Sequence, residues 1–189
     1  MEILSRQYDQ IERGERPLTT ITSVLMINGG YFADAHSHPI MTTPLLKTRL
    51  GKMGVRIAQH SRPAFDMMLK GLWSKAYDVS PQELGEVHNA ISRYNGAVFM
   101  SNAAGFVDEH KKNAERWDLK RLFEALAPIM DFCIAGSTED PFEHKQITKA
   151  RERLGRLGLD IRMFPGGHMT TSEHPDLIAD LIIQLMNLN

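Results

Sequence analysis

Ile129-Met130-Asp131-Phe132-Cys133-Ile134-Ala135-Gly136-Ser137-Thr138-Glu139-Asp140-Pro141 is the stretch on which the fold turns. Its first half is an apolar run, read as a strand over Pro128 to Ala135. Its second half breaks at once into Gly, Ser, Thr, Asp and Pro, the residues of turns. Continuous rather than alternating apolarity marks a strand buried on both faces, as in a parallel sheet. Working forward, Glu143 to Leu157 carries a helical pattern. A short strand, Asp160 to Phe164, then ends in Pro165-Gly166-Gly167-His168. A final amphipathic helix, near Pro175 to Leu188, spaces Leu177, Ile178, Leu181, Ile182 and Leu185 along one stripe.

Working backward, Val24 to Ile27 is a second continuous apolar run, after Thr19-Thr20-Ile21-Thr22-Ser23 and before Asn28-Gly29-Gly30. Glu2 to Glu12 has helical spacing at Ile3, Leu4 and Ile11 without a recognisable cap, like the rear of a helix. Between the first two strands, Leu45 to Ala58, Pro63 to Trp73, Pro81 to Tyr94 and Ala97 to Leu126 read as helices interrupted by turns. Ser80-Pro81-Gln82-Glu83 has the spacing of a capping box, with Pro81 at the first helical position. Strands alternating with helices imply an α/β fold with a parallel sheet. Three strands alone leave two open edges.

Composition narrows the function classes. The 189 residues carry 22 Lys+Arg against 23 Asp+Glu, so no broad basic field exists for nucleic acid. One cysteine, Cys133, supports neither a disulfide scaffold nor a cysteine zinc site. A reducing cytoplasm is the expected location. No apolar stretch approaches the ~18 residues of a membrane span, and the first residues lack the pattern of a secretion signal.

The chemistry-bearing residues sit in two loops, each after a strand, where open parallel sheets place their sites. Asp140 ends one loop, and His168 ends the other, 28 residues on. An acid that orients an imidazole, and an imidazole that acts as general base, form the rear of a nucleophile, acid, histidine set. Glu139 is the alternate acid. Each residue also has an ordinary structural reading: the acid as turn chemistry or a helix cap, the histidine as part of a surface turn. His36 and His38 beside Asp34 have no third ligand at a recognisable spacing, so no metal is expected. Trp73, Phe99, Phe106 and Trp117 read either as helical core or as the lining of an apolar pocket.

Together these segments make the chain resemble the C-terminal portion of an α/β-hydrolase, in the branch of haloalkane dehalogenases, epoxide hydrolases and mesoderm-specific transcript-like hydrolases. The resemblance rests on Ile27-Asn28-Gly29-Gly30-Tyr31-Phe32 with His36 or His38 and Pro39. It continues through Ser80-x-x-Glu83-Leu84, Asn95-Gly96 and Arg116-Trp117 to the Gly136–Pro141 and Gly167-His168 loops. It implies a partial core over residues 1–30 and 127–189 and a helical cap over 31–126. It implies catalytic Asp140 and His168, and substrate contacts from Asn28, Trp73, Phe99 and Trp117. It also implies a small apolar substrate (ester, epoxide or haloalkane) and no cofactor. No Gly-x-Ser-x-Gly or similar elbow occurs in the chain, so the resemblance places the nucleophile and the earlier strands upstream. The expectation is a hydrolase component completed by an upstream fragment. The alternative is a non-catalytic protein that pairs its sheet edge with another copy or a partner.

Overall fold

The computed structural model describes residues 1–16, 20–36, 48–93, 105–141 and 144–187. Within these, three strands form one parallel sheet in the order β1 (Ser23–Ile27), β2 (Asp131–Ser137), β3 (Asp160–Phe164). Leu25 lies opposite Cys133, and Cys133 opposite Asp160, which sets the register of the three parallel strands. The chain opens with α1 (Glu2–Glu12). Between β1 and β2 come α2 (Arg49–His60), α3 (Arg62–Lys70), α4 (Pro81–Arg93), a helical segment over 105–112, and α5 (Leu119–Leu126). After β2 follow α6 (His144–Leu154) with a 3-10 turn at Gly155–Leu157. The chain ends in α7 (Thr170–Glu173) and α8 (Pro175–Asn187).

The apolar strand runs are explained by cover on both faces. Phe132 and Ile134 of β2 join Val24 and Met26 of β1 on one face, under Leu119, Leu122 and Leu126 of α5 and Ile147 and Ala150 of α6. Ala135 turns the other way with Leu25 and Ile27 and meets Ile178 and Leu181 of α8. Cys133 is buried in this strand, and burial pushes its thiol up to about 11, so it stays a neutral, compact side chain. Gly136 is required by packing, since a Cβ there would lie 2.8 Å from Ile147. The β3 edge carries Asp160 and Arg162, paired at 2.6 Å, and charge of this kind blunts an edge against further pairing.

Apart from α5, which covers the sheet, α3 and α4 of the region between β1 and β2 pack around a core of their own: Phe65, Leu69, Trp73 and Leu84. The capping box forms as its spacing predicts. Glu83 N donates to Ser80 Oγ at 3.1 Å, while Ser80 N donates back to Glu83 at 3.0 Å. The sequence expectations differ from the structure mainly at element ends. The second strand starts later and runs on through Ser137, because Gly136 and Ser137 still pair with Met163 and Phe164. The four-residue α7 is too short to show a helical period in sequence.

Candidate active site

Both loops leave the sheet at the same end, and β2 and β3 are neighbours, so the acid and the histidine converge. Thr138 N donates to Phe164 O at 2.9 Å and Glu139 N to Gly166 O at 3.2 Å, lacing one loop to the other. Gly166 takes φ 141, backbone that only glycine adopts readily, and this turns the loop back over the sheet. His168 Nδ1 then lies 2.9 Å from Asp140 Oδ2. The Asp140 side chain is fully buried, whereas that of His168 is 35% exposed. A buried carboxylate is an acceptor, so the neutral ring carries its proton on Nδ1 and leaves Nε2 as the basic nitrogen. Glu139 is exposed, so of the two candidate acids Asp140 is the one that meets the imidazole.

Asn28 is the brace of this arrangement. It sits just after β1 in the left-handed region, φ 44, which asparagine tolerates better than most residues. Its Oδ1 accepts from Ser137 N at 2.8 Å. Its Nδ2 faces Gly167 O and His168 O, both at 3.1 Å, and Thr170 Oγ1 at 2.5 Å. The amide of this expected substrate contact is therefore engaged on protein atoms, joining all three strand ends to the histidine loop.

A second clamp comes from the helical region. Leu72 O accepts from His168 N at 2.6 Å and from Met169 N at 3.2 Å. Glu173 of α7 accepts from Gly167 N at 2.9 Å, from Ser74 N at 3.0 Å and from Ser74 Oγ at 2.5 Å. Gly167 has no room for a side chain, because a Cβ would lie 2.4 Å from Ser74 N and 2.5 Å from the Trp73 carbonyl carbon. Neither Glu173 nor the Leu72 carbonyl carries a motif in the sequence; both act through folding alone.

The remaining expected residues fall elsewhere. Trp73 is buried in the helical core beside Leu72, and its Nε1 has no hydrogen-bond partner among the described residues. Trp117 Nε1 donates to Glu2 at 2.9 Å, and its ring borders a separate cavity. Phe99 and His38 lie outside the described residues. Asp34 is held by Lys149 at 2.9 Å and Arg153 at 2.8 Å, and these cations keep its carboxyl well below the usual range. His36 bonds to His110 at 2.9 Å. Among the described residues no three His, Cys, Asp or Glu side chains are grouped to hold a metal ion, and no helix is long and apolar enough to cross a membrane. No family model matches the chain, and no curated protein matches it.

Proposed function

We propose that the chain is a hydrolase component of the α/β-hydrolase type, in which Asp140 orients His168 and His168 Nε2 is the general base. The observation that carries this reading is the 2.9 Å bond from His168 Nδ1 to a fully buried carboxylate, at the carboxyl ends of adjacent parallel strands. In the same reading, residues 1–30 and 127–189 are the core portion and 31–126 the cap. The docking of Leu72 and Ser74 on the histidine loop supports a cap seated directly over the site.

The substrate is a small apolar ester, epoxide or haloalkane, and the nucleophile comes from a segment outside these residues. With a serine nucleophile, Nε2 takes the hydroxyl proton as oxygen attacks the ester carbonyl, and returns it to the leaving alcohol. With an aspartate nucleophile, Nε2 instead takes a proton from the water that hydrolyses the covalent ester intermediate. Asp140 holds the ring through both steps and stabilises the imidazolium.

The test is turnover of p-nitrophenyl acetate, styrene oxide and 1-bromobutane by the full chain supplied with a segment that carries the nucleophile, and by the same mixture with His168→Ala. The expected result is hydrolysis of at least one substrate that appears only with the added segment and is lost in the variant. A stable homodimer that turns over none of them overturns the hydrolase reading and favours a non-catalytic, self-pairing protein.

A further inference from the structure

The second histidine cluster lies away from the Asp140–His168 pair and has the opposite hydrogen-bond polarity. Gln146 fixes its direction. Gln146 Oε1 accepts from Tyr31 N at 3.0 Å and Phe32 N at 2.7 Å, so its other terminus must be the amide nitrogen. That nitrogen donates to Phe32 O at 3.0 Å and faces His36 Nδ1 at 3.3 Å. His36 Nδ1 is thus an acceptor, His36 carries its proton on Nε2, and it donates to His110 Nδ1 at 2.9 Å. His110 in turn carries its proton on Nε2, on the far side of its ring.

His110 is buried, with 2% of its surface exposed, and its Nδ1 is taken by His36, while no hydrogen bond from Nε2 is found among the described residues. Its ring forms part of the wall of a cavity of about 580 Å³, within the size range of small-molecule sites. The rest of that wall is largely apolar, with Leu4, Val24, Met26, Ile27, Phe106 and Trp117. Glu2 also borders it, but its carboxylate is held by Arg6, Arg116 and Trp117. Burial, with His36 and the Met1 amino group nearby, lowers the His110 pKa to about 4, so the ring is a neutral donor at ordinary pH.

We infer that this cavity binds a neutral, largely apolar small molecule through one acceptor oxygen, a ketone, ester or ether, which takes the hydrogen bond of His110 Nε2–H. A donor with no partner in an apolar wall selects for an acceptor and gives little to a pure hydrocarbon. Charged ligands are disfavoured because the neutral ring offers no compensating charge. Neither Asp140 nor His168 is among the lining residues, so the inference does not rest on either of them.

The test titrates the full chain with acetophenone and with ethylbenzene, which differ by the carbonyl, and follows the two tryptophan indole N–H resonances by NMR. Acetophenone is expected to shift Trp117 and leave Trp73 in place. His110→Phe is expected to weaken acetophenone about fivefold while ethylbenzene changes less than twofold. In the unmodified chain, acetophenone but not ethylbenzene should also move the His110 Nε2–H resonance, which decides the matter if the variant does not fold. No shift at Trp117, an unmoved His110 resonance, or equal losses for the two probes overturns the inference. His168→Ala should leave all of these readings unchanged, whatever it does to hydrolysis.

Discussion

His168 and His110 are both imidazoles held through Nδ1, and they differ in what holds them. At His168 the partner is a buried carboxylate, which can only accept, so the ring gives its Nδ1 proton and keeps Nε2 as a base. At His110 the partner is another imidazole, itself polarised by Gln146, so Nδ1 accepts and Nε2 becomes a donor. The lesson is that the neighbour on Nδ1 decides whether a histidine removes protons or offers one. Surroundings reinforce the division. His168 is partly open beside a buried carboxyl group, whereas His110 is closed off in a largely apolar wall.

The comparison is broken most sharply by Asp140→Asn. The amide can present a donor where the carboxylate accepted, which favours the wrong tautomer of His168. Any His168-dependent hydrolysis should fall about a hundredfold, with acetophenone binding at the cavity unchanged, as rates and titrations on one preparation would show. Next comes Gly167→Ala, whose Cβ would press on the backbone at Trp73 and Ser74. Denaturant unfolding should show a loss of about 2 kcal/mol, and the Leu72 clamp on the histidine loop should loosen.

A smaller effect separates the two sites by pH. His110 resists protonation until about pH 4 when folded, while an unfolded histidine takes its proton near pH 6.5. The unfolded state therefore binds more protons between these values. The contribution of His110 to stability is complete above pH 6.5 and is lost as pH falls toward 4. Between pH 7 and 5.5 it amounts to about 1 kcal/mol, a slope that His110→Phe should remove from unfolding curves. The smallest effect is expected for Gly30→Ala. Its Cβ would meet His36 and Phe106 at 2.6 and 2.9 Å, but both are side-chain atoms that can shift. About 0.5 kcal/mol should be lost, with the His36–His110 bond disturbed and the Asp140–His168 pair intact.

How legible the two sites were in the sequence follows the same division. Asp140 and His168 are visible because each ends a strand-to-loop break whose turn residues are local, and the strand periods put the loops side by side. Strand β3 and helix α1 keep the bounds their patterns predict, because the residues that define them are contiguous. Asn28 stands out as a residue, but its bonds reach across 139 and 140 positions to Gly167 and His168, so its task emerges only on folding. The His36–His110 bond spans 74 residues and leaves no spacing to detect. The cluster of Asp34 with His36, which resembles a ligand pair in sequence, separates because Lys149 and Arg153 of α6 take the carboxylate.

The claim that Asp140 sets His168 up as a base is tested most directly by a long-range 1H–15N NMR spectrum of the His168 ring in the full chain, at a pH where the ring is neutral. The 2.9 Å bond predicts a protonated Nδ1 and a bare Nε2, reverting to the ordinary mixture of tautomers in Asp140→Ala. A proton found on Nε2 in the unmodified chain, with Nδ1 bare, would contradict it.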